Sequence, residues 1–237
     1  VAVIYSYRAE TCNELKSLNV GWLHDWAANP RLCDGVESIP MIWCDSIPDS
    51  LGGNSAWVFG GNEPNLSNQC NRTPEQMAEV QRALEEKFPD KKLVSPVPYS
   101  GDWYGDNPPM MGAAWLRQWQ AAYQSRYGAQ PRIDGVQVHC YWTWASQCIA
   151  TLNEHLAFGK PIWLTEFAFV PTWDNRSPDI LWEQYRQVIA WARAHNARWA
   201  VFANLPCNGE QWCPPRQWQS PLLDGGLTYI GEWYRSY

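Results

Sequence analysis

Glu63 and Glu166 are the residues of this sequence best placed to do chemistry. Glu63 closes an apolar run in WVFGGNEPN (57–65), and Glu166 closes another in PIWLTEFA (161–168). A carboxylate at the end of a buried strand costs desolvation unless something compensates it. Either glutamate alone reads as a salt bridge or a solvated loop end. Two of them, each ending an apolar strand, read as a facing pair. Facing carboxyls can hydrolyse a glycosidic bond: one, kept protonated, gives its proton to the leaving oxygen, and the other attacks the anomeric carbon. A separation of about 5–5.5 Å retains configuration, whereas about 6.5–9.5 Å leaves room for a water and inverts it.

Such a pair needs a frame that brings distant strand ends together. Eight short apolar runs are candidate strands: 2–7, 21–26, 38–44, 56–61, 93–99, 135–141, 161–167 and 198–204. Amphipathic stretches alternate with them. The stretch 73–88 opens with Thr73, Pro74 and Gln76 in capping-box order, and 113–128 and 146–159 end on glycine. A further helix is expected over 177–195, opening on Ser-Pro, and another over 227–237. Strand–helix alternation predicts a parallel sheet, and eight units predict one compact (β/α)8 TIM barrel of the α/β class spanning 1–237. The first three connections are short, so their helices must be reduced. An open doubly wound sheet is the alternative, but RAETCNE after the first strand has no glycine-rich phosphate loop. In a barrel, strands four and seven lie on opposite sides of the mouth, so Glu63 and Glu166 can meet across it.

Strand six, GVQVHCYW, alternates with period two. Gln137, His139 and Tyr141 share one face, expected toward the barrel mouth, and Val136, Val138 and Cys140 share the other. His139 or Tyr141 can then reach a carboxylate or a sugar hydroxyl. Aromatics near strand ends are candidate sugar platforms, because a sugar ring has a C–H face that packs on a flat ring. These are Trp26, Trp43, Tyr99, Trp103, Tyr104, Trp142, Trp144 and Trp173. Trp103 and Tyr104 sit in a long Gly- and Pro-rich loop, YSGDWYGDNPP, of the kind that often carries function. Trp115, Trp119, Trp182 and Trp191 fall inside helices and are expected in the core.

GNEP ending strand four and WLTEF ending strand seven resemble the clan of retaining barrel glycosidases with two catalytic glutamates on those strands. Together with VHCYW and the small size, they are similar to glycoside hydrolase family 128, compact barrels that cut β-1,3-glucans. The resemblance implies Glu63 as acid/base, Glu166 as nucleophile, Asn62 on a sugar hydroxyl and Tyr141 steadying the nucleophile. It implies a β-glucan substrate and endo action. One departure is visible: many members of the clan place a Trp at the end of strand eight, where this chain has Phe202 and Asn204. Other readings are a retaining enzyme of the same clan acting on cellulose, xylan or mannan, or a carbohydrate-binding barrel without turnover.

Bulk properties narrow the field further. Of 237 residues, 46% are hydrophobic, enough for a large core. No apolar run reaches membrane-spanning length. The net charge of -6, with no basic cluster, argues against a nucleic-acid partner. No cofactor or metal is expected. A metal-dependent hydrolase needs several His or Asp at strand ends, and of four His only His24 and His139 fall on strands. A monomer is expected. The 8 Cys favour disulfides in a secreted protein, with Cys140–Cys148 and Cys207–Cys213 close enough to pair; Cys12, Cys33, Cys44 and Cys70 cannot be paired uniquely. The chain opens on Val1 with no leader of its own, as after removal of one. The sequons at Asn65, Asn71 and Asn175 carry no weight, and a glycan on Asn65 would crowd Glu63.

Overall fold

The computed structural model describes residues 2–4, 11–102, 108–169, 177–204 and 229–236. The elements run β1 (Ala2–Ile4), α1 (Thr11–Ser17), β2 (Trp22–His24), β3 (Glu37–Ser38), β4 (Trp57–Val58), α2 (Pro74–Lys87), β5 (Lys92–Leu93), α3 (Gly112–Tyr127), β6 (Val136–Cys140), α4 (Ala145–His155), β7 (Ile162–Phe167), α5 (Pro178–Ala194), β8 (Arg198–Trp199), β9 (Val201–Asn204) and α6 (Tyr229–Ser236). All eight expected strand regions carry strands, though most are shorter than their apolar runs. The eighth is split at Ala200 into β8 and β9.

The later helices start and stop where their residues dictate. Thr73 and Gln76 close a reciprocal capping box on α2, Ser177 caps α5, and Gly128 ends α3 in the left-handed region at φ 70°. Among the described residues, no helix joins β2 to β3 or β3 to β4. The seven-residue α1 is a reduced helix, as expected for the first connections.

Every strand pairing is parallel. The strands form three small sheets, ordered β3-β2-β1-β9, β4-β5 and β6-β7-β8. Isolated parallel bridges continue the contact beyond them: Met41 to Phe59, Val94 to Gly135, and Gly101 to Tyr141. The fold is therefore α/β, as expected.

Buried apolar side chains divide into two clusters by strand parity. Leu23, Ile42, Val58, Leu93, Val136, Val138, Leu164 and Val201 pack with helix residues such as Met77, Leu116, Trp119, Leu152 and Tyr185. Trp22, Ile39, Met41, Phe59, Val94, Trp163 and Phe202 face the opposite way, into a second cluster that no helix residue enters. Trp115, Trp119 and Trp191 lie in the helix-side core as expected, with Trp182 packed partly buried against it.

Three disulfides tie the loops: Cys12–Cys33, Cys44–Cys70 and the expected Cys140–Cys148. Cys207 and Cys213 lie outside the described residues. Asn65 fastens two loops together. Its amide donates to the carbonyls of Tyr99 (3.1 Å) and Met110 (3.0 Å), and its oxygen accepts from Tyr99 N (2.7 Å). With that amide committed, the Asn65 sequon has no free acceptor in the folded chain. No described helix is long and apolar enough to cross a membrane.

Candidate active site

Glu63 lies five residues beyond β4, and backbone proximity brings it in. Gly60 is needed on the way: a Cβ there would meet Pro96 N at 2.8 Å and Ser95 O at 2.9 Å, so the chains beyond β4 and β5 can approach only over glycine. Asn62 N then donates to Trp43 O and Glu63 N to Val97 O, both at 2.8 Å. Glu63 itself adopts φ 40°, in the left-handed region that disfavours a branched backbone with a Cβ. Of five described non-glycine residues at positive φ, three are Asn, which tolerates that region. The other two are Glu63 and Trp26, and both belong to this site. Strain of this kind concentrates where function holds it in place.

Glu166 reaches the site through a break in register. β6 and β7 pair Val136 with Ile162, Gln137 with Trp163 and Val138 with Leu164, but then His139 with Glu166. Thr165 is skipped. Strict alternation would put Glu166 on the face of Leu164, toward the helices. The extra residue reverses the parity, so Glu166 joins the face of Trp163, while Phe167 returns to the helix-side core.

The two carboxyls meet across His139. Nδ1 of His139 is 3.0 Å from Glu63 Oε1, and Nε2 is 3.5 Å from Glu166 Oε1, in a geometry too poor for a hydrogen bond. All three side chains are buried. One donor atom from each lies within 4.8 Å of the others. Trp26 Nε1–H donates to Glu166 Oε1 at 2.6 Å, and the Tyr141 hydroxyl donates to Oε2 in a short bond. These are also ligand types for a divalent ion. The hydrogen bonds join His139 to Glu63, and Trp26 and Tyr141 to Glu166.

Burial raises both glutamates, Glu63 to about 8. For Glu166 the neighbouring Glu63 adds to the rise, while His139, Tyr141 and Trp26 oppose it. Burial lowers His139, with Glu166 partly offsetting. A neutral histidine has one N–H, which fixes the protons. Glu166 accepts two donors and is the better anion; Glu63, with only His139 beside it, keeps its proton and gives it to Nδ1. The Nε2–H then faces Glu166. At neutral pH burial keeps Glu63 protonated, and the two donors on Glu166 favour its anion against the rise that burial causes.

The remaining expected residues are distributed unevenly. Asn62 is buried beside Glu63; its amide nitrogen donates to Gln69 at 3.2 Å and its oxygen has no partner. Tyr99 is buried and stacks on Tyr141 with centroids 5.9 Å apart. Trp43 and Trp144 are 39% and 42% exposed. The Trp142 indole points away, donating to Thr151 on α4 at 2.9 Å. Phe202 packs 6.3 Å from Tyr141, centroid to centroid. Trp103, Tyr104 and Trp173 lie outside the described residues. His24, Gln69 and Thr165 were not anticipated. His24 could have been found from its parity with Trp22, but the bulge at Thr165 leaves no mark in residue type.

Known proteins share the family and the fold of this chain. The family model for the glycosyl hydrolase catalytic core matches residues 2–234, so the chain belongs to that family. Solved structures share the fold at low identity. A GH128 (subgroup II) endo-β-1,3-glucanase from Pseudomonas viridiflava is 24% identical, with TM-score 0.78 over 99% of this chain and 96% of that one. A second subgroup II enzyme, from Sorangium cellulosum, is 19% identical with TM-score 0.77, over 100% of this chain and 98% of that one. A subgroup I enzyme from Amycolatopsis mediterranei, in complex with laminaritriose, is 20% identical with TM-score 0.76, over 99% and 98%. No curated protein sequence matches the chain.

Proposed function

We propose that this chain is a retaining, endo-acting glycoside hydrolase of β-1,3-glucan, built as a single (β/α)8 barrel over 1–237. The observation that carries the reading is the buried carboxyl pair: one oxygen of each within 4.8 Å of the other, with His139 beside both. Carboxyls set this close together favour direct attack by one of them. Glu166 Oε attacks the anomeric carbon while the Glu63 O–H protonates the departing glycosidic oxygen. The glycosyl–Glu166 ester forms and the aglycone leaves. Glu63, now a carboxylate, takes a proton from water; the oxygen of that water attacks the anomeric carbon, Glu166 departs as carboxylate, and Glu63 regains its acid form.

Trp26 and Tyr141 aim Glu166 and stabilise its charge. Asn62, with an open amide oxygen, takes a sugar hydroxyl. The half-exposed Trp43 and Trp144 offer faces for sugar rings. Barrel closure is supported by the bridges joining β3 to β4 and β5 to β6, and by β8 and β9, which continue one another and pair with β7 and β1 respectively. The β-1,3 linkage and endo action are supported by the neighbouring enzymes. Three disulfides support secretion. One chain supplies every group named, which supports a monomer. Hydrolysis of laminarin, curdlan, cellulose, xylan and mannan, with product analysis and NMR of the first anomer formed, tests the reading. Mixed laminari-oligosaccharides released first as β-anomers are expected. Preference for another glycan, or release of α-anomers, would overturn it.

A further inference from the structure

The bulge that turns Glu166 toward Glu63 must itself be held, and the hydrogen bond that holds it comes from an unexpected strand. Pairing of β7 with β8 covers Trp163 and Leu164 and closes with Ala200 N donating to Leu164 O at 2.8 Å. Pairing with β6 skips Thr165. Thr165 therefore stands outside both registers, and its buried hydroxyl has no partner. Its carbonyl faces His24 Nε2 on β2, at 3.1 Å. A carbonyl only accepts, so Nε2 carries the proton and Nδ1 is the bare nitrogen; Nδ1 is buried with no partner. The ring is fixed by Phe59 and Trp26, edge to face at 5.4 and 5.7 Å, and by Trp22 at 6.1 Å. Burial among these rings holds His24 neutral, down at about 3. It thus presents one N–H in one direction, across the interior from β2 to β7.

We infer that His24 is a positioning residue: its Nε2–H pins the bulged Thr165 carbonyl and so sets where the Glu166 carboxylate stands. It acts through the backbone and touches no reacting atom. The catalytic consequence rests on the retaining mechanism proposed above. A carboxylate displaced by about 1 Å can lose on the order of 100-fold in rate.

Two variants test this. His24→Phe keeps an aromatic disc and deletes the donor; His24→Gln restores an N–H donor at the reach of Nε2. Each is followed by thermal melting, by kcat and KM on laminarin, and by the NMR signal of the Trp26 indole proton, assigned with Trp26→Phe. That proton bonds to Glu166 and reports the carboxylate's position without turnover. The expected result is a folded His24→Phe with kcat down about 100-fold, KM little changed and the indole proton moved upfield. His24→Gln is expected to recover most of the rate and the wild-type signal. A folded His24→Phe with wild-type kcat and an unmoved indole proton overturns the proposal. If His24→Phe does not fold, a folded His24→Gln that has lost both rate and signal overturns it. A wild-type protein inactive on every glucan sinks the catalytic reading alone, because the indole signal still decides where Glu166 is held.

Discussion

β4 and β7 each carry a tryptophan near their N-terminal end and lead to a glutamate, so the two ends of the same strands can be compared directly. At the N-terminal ends, Trp57, Trp163, Trp22 and Phe59 interlock with centroids 5.0–5.8 Å apart. Tilted and edge-to-face contacts of this kind add to the area they bury. At the C-terminal ends, the same strands deliver two buried carboxyls and β6 sets a buried histidine between them, each costing desolvation. Two residues there sit at positive φ, and Asn62 and Thr165 leave polar atoms unpartnered. One end stabilises the chain; the other carries groups that destabilise it and can react. Substitutions at the reactive end should change rate without lowering stability, and those at the aromatic end should do the reverse.

Glu166→Gln is the most severe test. Loss of the nucleophile should lower turnover by at least about 10^4-fold, with glucan binding retained by calorimetry; near-normal turnover would sink the mechanism. Glu63→Gln should cost about 10²–10⁴-fold on glucan, but far less on aryl glycosides with good leaving groups, and azide should restore breakdown of the intermediate. Both activity and stability should follow Glu63 with pH. Activity needs its proton, so kcat/KM should fall as pH rises through about 8. Below about pH 4.5 folded and unfolded chains both hold that proton. From there to about 8 only the folded carboxyl does, so stability declines with rising pH, and above 8 the full penalty stands. Glu63→Gln should therefore melt higher than wild type at pH 9 while being far less active. A lower melting temperature there would contradict the comparison.

Trp163→Ala probes the other end. Removing a fully buried indole should cost about 3–5 kcal/mol in denaturant unfolding, with kcat per folded molecule close to wild type. A loss of kcat as large as that of Glu63→Gln would show that the two ends are not separable. Tyr141→Phe returns to the reactive end. One charge-assisted hydrogen bond to Glu166 is worth about 1.5–3 kcal/mol, or roughly a 10–100-fold loss in kcat, with little change in melting temperature.

The aromatic end was legible in the sequence. Apolar runs of strand length, capped helices and alternation in strand six each follow from local rules, and the parity of Gln137, His139 and Tyr141 survives unchanged in three dimensions: Gln137 bonds Ser95, His139 meets Glu63 and Tyr141 meets Glu166. The reactive end was legible in its residues but not in its geometry. Glu166 counted by strict alternation points the wrong way, and only the skipped Thr165 corrects it. No residue type announces such a bulge, since Thr is an ordinary strand residue. Trp142 shows the converse. It lies one residue beyond Tyr141, as a mouth aromatic should, but its indole N–H finds Thr151 on α4. Partner choice of that kind depends on a helix whose position the local sequence does not encode.

The smallest predicted effect concerns the rim of the aromatic end. Arg198 lies 4.4 Å above the Trp163 ring and 3.0 Å from Glu37 Oε2, and Ser55 donates to the other oxygen of that carboxylate at 2.7 Å. The guanidinium thus joins β8 to β3 over the tryptophans. Its side chain is 43% exposed, so solvent screens both interactions. A partly exposed ion pair and a cation–π contact together should be worth about 1 kcal/mol. Arg198→Ala should lower stability by that amount at low salt and by less at high salt, because screening weakens the pair that the alanine removes. Arg198→Lys should recover the charge but not the flat contact with the ring. Neither should change kcat. A rate effect from this position, on the far side of the aromatic layer from Glu63 and Glu166, would mean that the layer transmits strain to the carboxyls instead of insulating them.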